Sequence, residues 1–595
     1  MYSLLSKKVN LALLLLAAIR AIDASEIIEL SPIALRDDPS SFTGLSLSSS
    51  RLVAEEEKGL LYSSIDDLIE SKSNIDIQQR GLFAMQSELN IRASSFEQNL
   101  VVVDGISLSD PQTSHYSMDL PFSNYDWQSI KVLKGLNSSL YGSHAIGGVL
   151  DIETVNPEEN NLRVSSVFGE KQMRIFNIAL DRVSEPLNYH LGIQQSSAAS
   201  YREETDFSLF NIFSKLIFNE MPGSPRVVIA HNSKEFGASS FYSSSYPREE
   251  ENIDTNLYMV NFDFIWNNFA FSPTLYFRRH WDKFILDRSD PDLFKNVSTN
   301  YIRGIKLPFR FTMLDSGIDL SLEAREEEID SINMGTHSRS LLSLSTAVSK
   351  ELSDRLSSLI SLRVDSYSDL DIEISPGLYL EYRLTEEKSI FSSFQRAYRV
   401  PSFTELYYSS PANLGNPSLS VEDSFSIELG FAKKGILSYG ASIFRRFDYN
   451  LIDWARSSAS DVWRAQNVSY ARTDGVEGWL SYGDFEFSYA LFNAEHKSNA
   501  SYSKYIANHL QYSFSAAQKI KTDYLDINLD LSYQERVKNS GFFNLDLVLS
   551  KEIVLKGNFV DLYLKFMNLT NASQFDVEGI QLPGRWASMG IAMAF

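Results

Sequence analysis

None of the 595 residues is cysteine, which excludes a disulfide framework, thiol catalysis and cysteine-based zinc sites. The same absence suits a chain that crosses an oxidising compartment without cross-linking. Positive charge is also short: 54 Lys and Arg stand against 76 Asp and Glu, a formal net charge of −22. Such a balance is unsuited to gripping phosphate backbones by counter-ion release, so nucleic acid is a poor partner. Tryptophan is scarce, with 7 residues beside 29 Tyr and 38 Phe, and Tyr and Phe suit pleated, half-buried surfaces. No His-Glu-x-x-His, nucleophile elbow or carboxylate pair at catalytic spacing is found, and the chain reads as no enzyme.

Long apolar runs are missing too, apart from one at the start. Lys7 and Lys8 precede an apolar stretch from Leu11 to Ile19, and small residues follow at Ala21 and Ala24. That is the layout of a secretory signal over residues 1–24. Arg20 and Asp23 close the stretch well before the ~20 residues that a spanning helix needs. The mature chain is then exported without a transmembrane helix, which leaves a soluble protein or a barrel.

What is abundant is alternation. Phe543, Leu545, Leu547 and Leu549 alternate with Asn544, Asp546, Val548 and Ser550, and Leu525, Ile527, Leu529 and Leu531 alternate with Asp526, Asn528 and Asp530. Phe485, Phe487, Tyr489 and Leu491 repeat the pattern, as do Met589, Ile591, Met593 and Phe595. Runs of about 8 to 10 residues are long enough to cross a bilayer at a tilt, with the apolar face toward lipid and the polar face toward the lumen. Roughly 435 residues at about 40 per hairpin give about 22 antiparallel strands, a size whose lumen is plugged. Length alone would suggest roughly three or four soluble domains; the alternation reduces these to one all-β transmembrane barrel over 158–595 and a stopper ahead of it. A soluble sandwich is the competing fold.

The stretch before the barrel has a different texture. Short strand-like runs, Leu100 to Val103 ahead of Asp104-Gly105 and Ile130 to Leu133 ahead of Lys134-Gly135, lead to a glycine-rich end, Tyr141-Gly142 through Gly147-Gly148. Glycine at that density permits positive φ and close backbone approach. A phosphate cradle is the sharper alternative, but no Gly-Lys-Ser/Thr follows. With Val132 to Gly135, Tyr141-Gly142, Ala145 to Gly148 and Ile152, this segment resembles the plug of TonB-dependent outer-membrane receptors. Arg399 to Tyr407, Gly415-Asn416-Pro417 and Glu428-Leu429-Gly430 resemble that family's middle barrel signature. Asn568-Leu569-Thr570 and Pro583-Gly584-Arg585 resemble its C-terminal one. Within the family, Arg92 to Asp104, Asp110 to Thr113, Asp119 to Pro121 and Phe236 to Pro247 are most similar to the vitamin B12 transporter branch.

The resemblance implies an α/β plug over 59–157 inside the lumen, a coupling segment and tether over 25–58, and a monomer in the lipid of the bacterial outer membrane. It implies import of a scarce solute, driven by a TonB-type energy-coupling protein on the periplasmic side. Cobalamin or a related corrinoid is preferred, with a ferric siderophore, haem or other chelated metal as alternative and a passive porin outside the family. The handle expected for the coupling protein is Glu26-Ile27-Ile28-Glu29-Leu30-Ser31-Pro32, since Pro32 resists helix and an apolar extended strand can pair at an edge. Ser-rich residues 40 to 50 read as its tether. A plug that must be releasable suggests polar fastening. The resemblance places plug cations at Arg92 and Lys134, and alternation turns Glu428 and Glu477 inward to meet them as a latch. Here Ala93 stands where the family commonly has glycine, and Lys134 where it usually has arginine.

Ligand contacts are expected from Ser109, His115 and Tyr116 on the plug and from Phe241, Tyr242 and Tyr246 on a barrel loop, because these side chains combine contact area with hydrogen bonding. The competing role for the aromatics is an interfacial girdle. No cofactor is expected, although Glu249, Glu250, Glu251 and Asp254 leave calcium open. His115 and His144 have no metal-ligand spacing.

Overall fold

The computed structural model describes residues 50–53, 64–72, 75–82, 85–242, 246–458, 460–498, 501–504, 508–555 and 557–595. The signal segment 1–24 and the coupling handle 26–32 lie outside them.

Two layers of β-structure are nested. In the inner one, strands β1 (Ser50–Val53), β4 (Asn99–Val103), β5 (Ile106–Ser107), β6 (Trp127–Leu133) and β7 (Gly148–Thr154) form a mixed sheet in the order β1-β6-β7-β4-β5. A two-stranded sheet, β2 (Asp76–Gln79) with β3 (Ser87–Asn90), stands beside it. Helix α1 (Ile65–Lys72) precedes β2, and α2 (Asn137–Tyr141) links β6 to β7. β4 lies parallel to β7 and is buried along its whole length, which accounts for its unbroken Leu-Val-Val-Val run. Asp104-Gly105 is the two-residue connection from β4 to β5, both residues at positive φ, the turn that such a hairpin requires. β1 pairs with β6, so the plug sheet begins before the expected boundary at 59. Without β1, the row of peptide groups on β6 would be left as an open edge.

Around this plug, 22 spanning strands close an antiparallel barrel from β8 (Asn161–Gly169) to Trp586–Ala594, which pairs back onto β8. The alternation has the expected sense. On Glu422–Lys433, Ile427 and Leu429 are 54% and 51% exposed while Ser424 and Glu428 are buried. The apolar side faces out over the barrel, the surface a bilayer covers.

Contact between plug and wall is of two kinds. Ile69, Ile77, Val101, Val103, Ile130 and Ile152 continue into Phe213, Val228, Ala230, Leu257 and Met259 of the wall as one apolar core. The expectation of polar rather than apolar fastening is therefore corrected in part: the early wall strands hold the plug by apolar packing. Smaller apolar clusters join Leu82 and Met85 to Phe236 and Leu136 to Tyr379 and Phe391; polar contacts lie between them, and the family-signature residues stand there.

Candidate functional site

Arg92 follows β3 and points into the wall. Its Nη2 donates to Glu428 Oε1 at 2.6 Å, its Nη1 to Glu428 Oε2 at 3.2 Å and its Nε to Glu477 Oε2 at 2.8 Å. Lys134, after β6, donates from Nζ to Glu477 Oε1 at 2.8 Å. The structure thus brings the four expected latch residues together as two cations on two carboxylates, all buried. The guanidinium also lies over Phe444, 4.4 Å from the ring centroid, and the Arg92 carbonyl accepts from Arg446 Nη1 at 3.0 Å. Arg92 and Ala93 both have left-handed φ, 57° and 54°. Glycine is favoured at such a position, and alanine there costs roughly 1 kcal/mol.

A second clasp went unread in the sequence. Arg399, 1% exposed, ends the strand Lys388–Arg399; it grips Glu405 through both Nη atoms at 2.8 and 3.0 Å and Glu422 Oε1 at 2.6 Å. Glu405 also closes the capping box of helix α3 (Phe403–Tyr407), where Ser402 is the N-cap. The reciprocal bonds of such a box fix the chain's entry into the helix. The backbone N–H groups of Phe403 and Thr404 donate to Pro111 and Gln112 carbonyls of the plug at 2.8 and 3.0 Å, and Gln98 Nε2 donates to Glu422 Oε2 at 2.8 Å. The segment that resembles the middle barrel signature is therefore a bracket over the plug apex.

Four of the expected ligand residues gather on the other side of the apex. His115 Nδ1 lies 2.8 Å from Glu88 Oε1, and the imidazole stacks on Phe96 at 4.1 Å. Tyr116 packs on His280 at 4.7 Å. Tyr242 donates its hydroxyl to Glu251 Oε1 at 2.6 Å, and Phe241 is buried with its carbonyl accepting from Arg80 Nη1 at 2.7 Å. Burial of the Glu88 carboxyl would raise it, but Arg80 and His115 outweigh burial and hold it at about 2. Phe241 is thus a core residue and not part of a girdle. Tyr246 is exposed. Ser109 stands apart, in a hollow lined also by His144, Arg325, Arg339 and Arg363.

The calcium candidates do not converge. Alternation along Glu250–Asn261 sends Glu251 to the lumen and Glu250 and Asp254 to the other side. Glu250 Oε2 accepts from Arg288 Nε at 2.7 Å and Asp254 Oδ1 from Arg279 Nη1 at 3.0 Å, so arginine takes the place a metal would fill. Among the described residues, no three Asp, Glu, His or Cys side chains are grouped to hold a metal ion.

The plug-motif residues shape the backbone. Asp104 accepts from Thr154 N and Oγ1 at 2.8 and 2.6 Å, tying the first turn to the exit strand. Gly142 has φ +105°, and a Cβ there would lie 2.9 Å from the Arg363 guanidinium. A Cβ on Gly147 would meet Ser94 Oγ at 2.3 Å and the Ile91 carbonyl at 2.6 Å, so glycine lets β7 lie directly under the Arg92 turn. Gly135 adjoins Glu428, Gly148 packs against Ile91, and Tyr141 donates to Asp151 at 3.4 Å.

Further plug-to-wall pairs join residues too far apart in the chain for any spacing rule: Asp110 with Arg278 at 2.6 Å, Asp119 with Lys234 at 2.5 Å, Asp126 with His190 at 2.8 Å, and Asp76 with Arg536. Asp110 and Asp119 lie in runs that sequence resemblance singled out; for the others no local signal existed.

Several apex acids carry a pH signature. Burial, with Glu405 alongside, raises the Glu97 carboxyl; burial lifts Glu249 to about 8 and Asp66 to about 6. Each holds its proton in the folded chain where the unfolded chain has released it. Their contribution is full below the ordinary carboxylate range and is lost as pH rises toward 8. Thermal unfolding of the solubilised protein should therefore show stability falling from about pH 6.5 to pH 8, by on the order of 1–3 kcal/mol, above the range in which His144 and His509, held by burial well below the usual imidazole value, act in the opposite sense. A rise over that range would refute these protonation states.

A plug held this way inside 22 strands departs from a passive porin. The family model described as "TonB dependent receptor-like, beta-barrel" matches residues 228–569, and "TonB-dependent Receptor Plug Domain" matches 46–149. Vitamin B12 transporter BtuB of Vibrio vulnificus (strain YJ016) is 21% identical over 454 residues, 69% of this chain and 68% of the relative. The siderophore receptor PirA from Pseudomonas aeruginosa superposes with a TM-score of 0.72 at 16% identity, covering 92% of this chain and 99% of that one. A mutant of the ferric enterobactin receptor PfeA from Pseudomonas aeruginosa, in complex with enterobactin, gives 0.74 at 17%, covering 92% and 99%. With barrel, plug and signature residues in their places, the chain belongs to the TonB-dependent receptor family.

Proposed function

We propose that this receptor sits as a monomer in the bacterial outer membrane and imports a scarce solute, preferably cobalamin or a related corrinoid, with energy supplied by a TonB-type partner that engages residues 26–32. The observation that carries the reading is a stopper seated in a closed barrel by ion pairs that are buried yet hydratable. Apolar packing holds one side of the plug, whereas the charged side is releasable, because burying charge is expensive and hydration reverses it. The ligand is captured at the plug apex, where His115, Tyr116 and Tyr242 cluster. The corrinoid preference is supported by relatives that bear the name vitamin B12 transporter.

A ferric siderophore or other chelated metal is the second reading: the hollow of about 20 Å³ beside Ser109 is lined by Arg325, Arg339 and Arg363 against Asp110 and Glu327, and an anionic chelate would have to draw these arginines from their carboxylates, Arg325 from Glu327 at 2.9 Å and Arg363 from Asp365 at 2.8 Å. Equilibrium binding to the solubilised receptor separates the two. Cyanocobalamin should bind with sub-micromolar affinity and ferric chelates far more weakly; tight binding of a ferric chelate with none of cyanocobalamin would overturn the corrinoid preference.

A further inference from the structure

Around its circumference the plug meets the wall in three ways. One side is sealed by the apolar core on Phe213, Val228, Leu257 and Met259. The side of Glu428 and Glu477 is sealed by the latch. The remaining side, between α1 and the wall from Phe485–Ser498 to Asn558–Met567, is joined by scattered polar contacts, Asp76 with Arg536, Asp67 with Lys565 at 3.7 Å and Gln79 N donating to Asp576 Oδ2 at 3.1 Å, and is not filled between them. A cavity of about 340 Å³ runs there, lined from the turn Gly483-Asp484 to Gln574, Asp576 and Leu582 in the loop before the final strand. Since β7 leads out of the plug into the upward strand β8, Gly483-Asp484 lies at the periplasmic rim and the 568–585 loop at the outer rim. The cavity therefore reaches along the height of the lumen.

Its charge is one-sided. Seven acidic side chains line it against Lys519 and Lys565; burial, with Asp576 alongside, raises Glu70 so that it keeps its proton, and Lys565 lies 3.7 Å from Asp67, which still leaves the acids in excess. Asp67 and Glu70 stand on α1; Glu486, Asp530, Asp546 and Asp576 stand on the wall and its loops. Gln534, 7% exposed, donates to Glu70 Oε1 at 3.0 Å, while its own Oε1 has no hydrogen-bond partner among the described residues. A buried polar atom left unsatisfied costs about 1–3 kcal/mol, so it marks a place where a solute or water group is accommodated.

We infer that this acid-lined corridor is the route by which the solute leaves the lumen, and that it admits neutral or cationic solutes and disfavours anionic chelates. The inference rests on the import reading above and adds to it the side of exit and the charge class. Low-dielectric walls of one sign focus the field, raising the local concentration of counter-charged solutes and depleting the like-charged. At rest the volume lies at the lower end of that which holds drug-sized ligands, so passage requires α1, which contributes Asp67 and Glu70 to the wall, to shift.

The cysteine-free chain permits a clean test with single-cysteine variants of the full receptor. Ser532→Cys and Asn544→Cys are cross-strand neighbours in the corridor; Ser458→Cys, in an outer turn beside Arg456 and Asp461, serves as reference. Each is labelled with methanethiosulfonate reagents bearing trimethylammonium or sulfonate. Relative to the reference, the corridor positions should favour the cation by about tenfold at low salt, and the preference should fade in 1 M salt, where charges are screened within about 3 Å. Adding Glu486→Gln, Asp530→Asn and Asp546→Asn should reduce the preference toward that of the reference. A corridor ratio equal to that of Ser458→Cys overturns the charge selectivity. A bulky maleimide adduct at Asn544→Cys should stop energised uptake of cyanocobalamin while leaving its binding intact; full uptake past the adduct overturns the route. If cyanocobalamin is neither bound nor taken up by the unmodified receptor, the corrinoid reading fails by itself, and the labelling ratio still decides the corridor.

Discussion

Replacing Glu428 and Glu477 together with glutamine should make the outer membrane leaky to a bulky glycopeptide antibiotic, while the barrel still folds and inserts. The change leaves Arg92 and Lys134 buried against neutral amides. Removing one side of a buried ion pair costs roughly 3–5 kcal/mol, because the remaining charge stays out of water without compensation. An effect of that size shifts the balance between seated and loosened plug by on the order of a hundredfold or more. The apolar contacts on Phe213 and Val228 keep the plug in the lumen, so the expected phenotype is leakage and not loss of the domain. Adding Arg92→Leu removes one of the two orphan charges and should restore part of the barrier. Antibiotic susceptibility of cells carrying these variants measures both effects; unchanged susceptibility in the double glutamine variant would show that the four residues do not hold the plug.

Arg399→Met should be the most damaging single substitution in the bracket over the plug apex. Arg399 is the shared partner of Glu405 and Glu422 and lies 3.9 Å from Glu97. Its loss leaves buried carboxylates facing one another and removes the anchor of the α3 capping box. A destabilisation of roughly 3–5 kcal/mol is expected, together with protease cleavage between 400 and 421 and loss of ligand binding at the apex. Arg399→Lys keeps the charge without the fork that reaches two carboxylates at once, and should fall between the two. Limited proteolysis and thermal unfolding report the result; a variant as resistant and as stable as the parent would remove the bracket from the account.

How much of this was legible in the sequence depended on the range of the interaction. The strands were legible because alternation is local: Ile427 and Leu429 outward with Glu428 inward follows from period two alone. Glu428 and Glu477 could be turned inward for the same reason, and the resemblance supplied their partners. The clasp of Arg399 was not legible, although Arg399 and Glu405 share one signature run, since only the folded barrel brings Glu422 and Glu97 to it. The calcium candidates read as one cluster in the sequence because Glu249, Glu250 and Glu251 are consecutive with Asp254 close behind, whereas a strand sets them on different faces. The strand Ser50–Val53 is too short to announce itself in the sequence and is recruited by an edge that lies some eighty residues on.

Energised uptake in whole cells tests import most directly. Cells expressing the receptor should bind radiolabelled cyanocobalamin at the surface and accumulate it. Ile28→Pro, chosen to block edge pairing of the proposed handle, should leave surface binding unchanged and abolish accumulation, as should collapse of the inner-membrane proton gradient. Accumulation that persists through both treatments would mean the solute enters passively, and would contradict energy-coupled import.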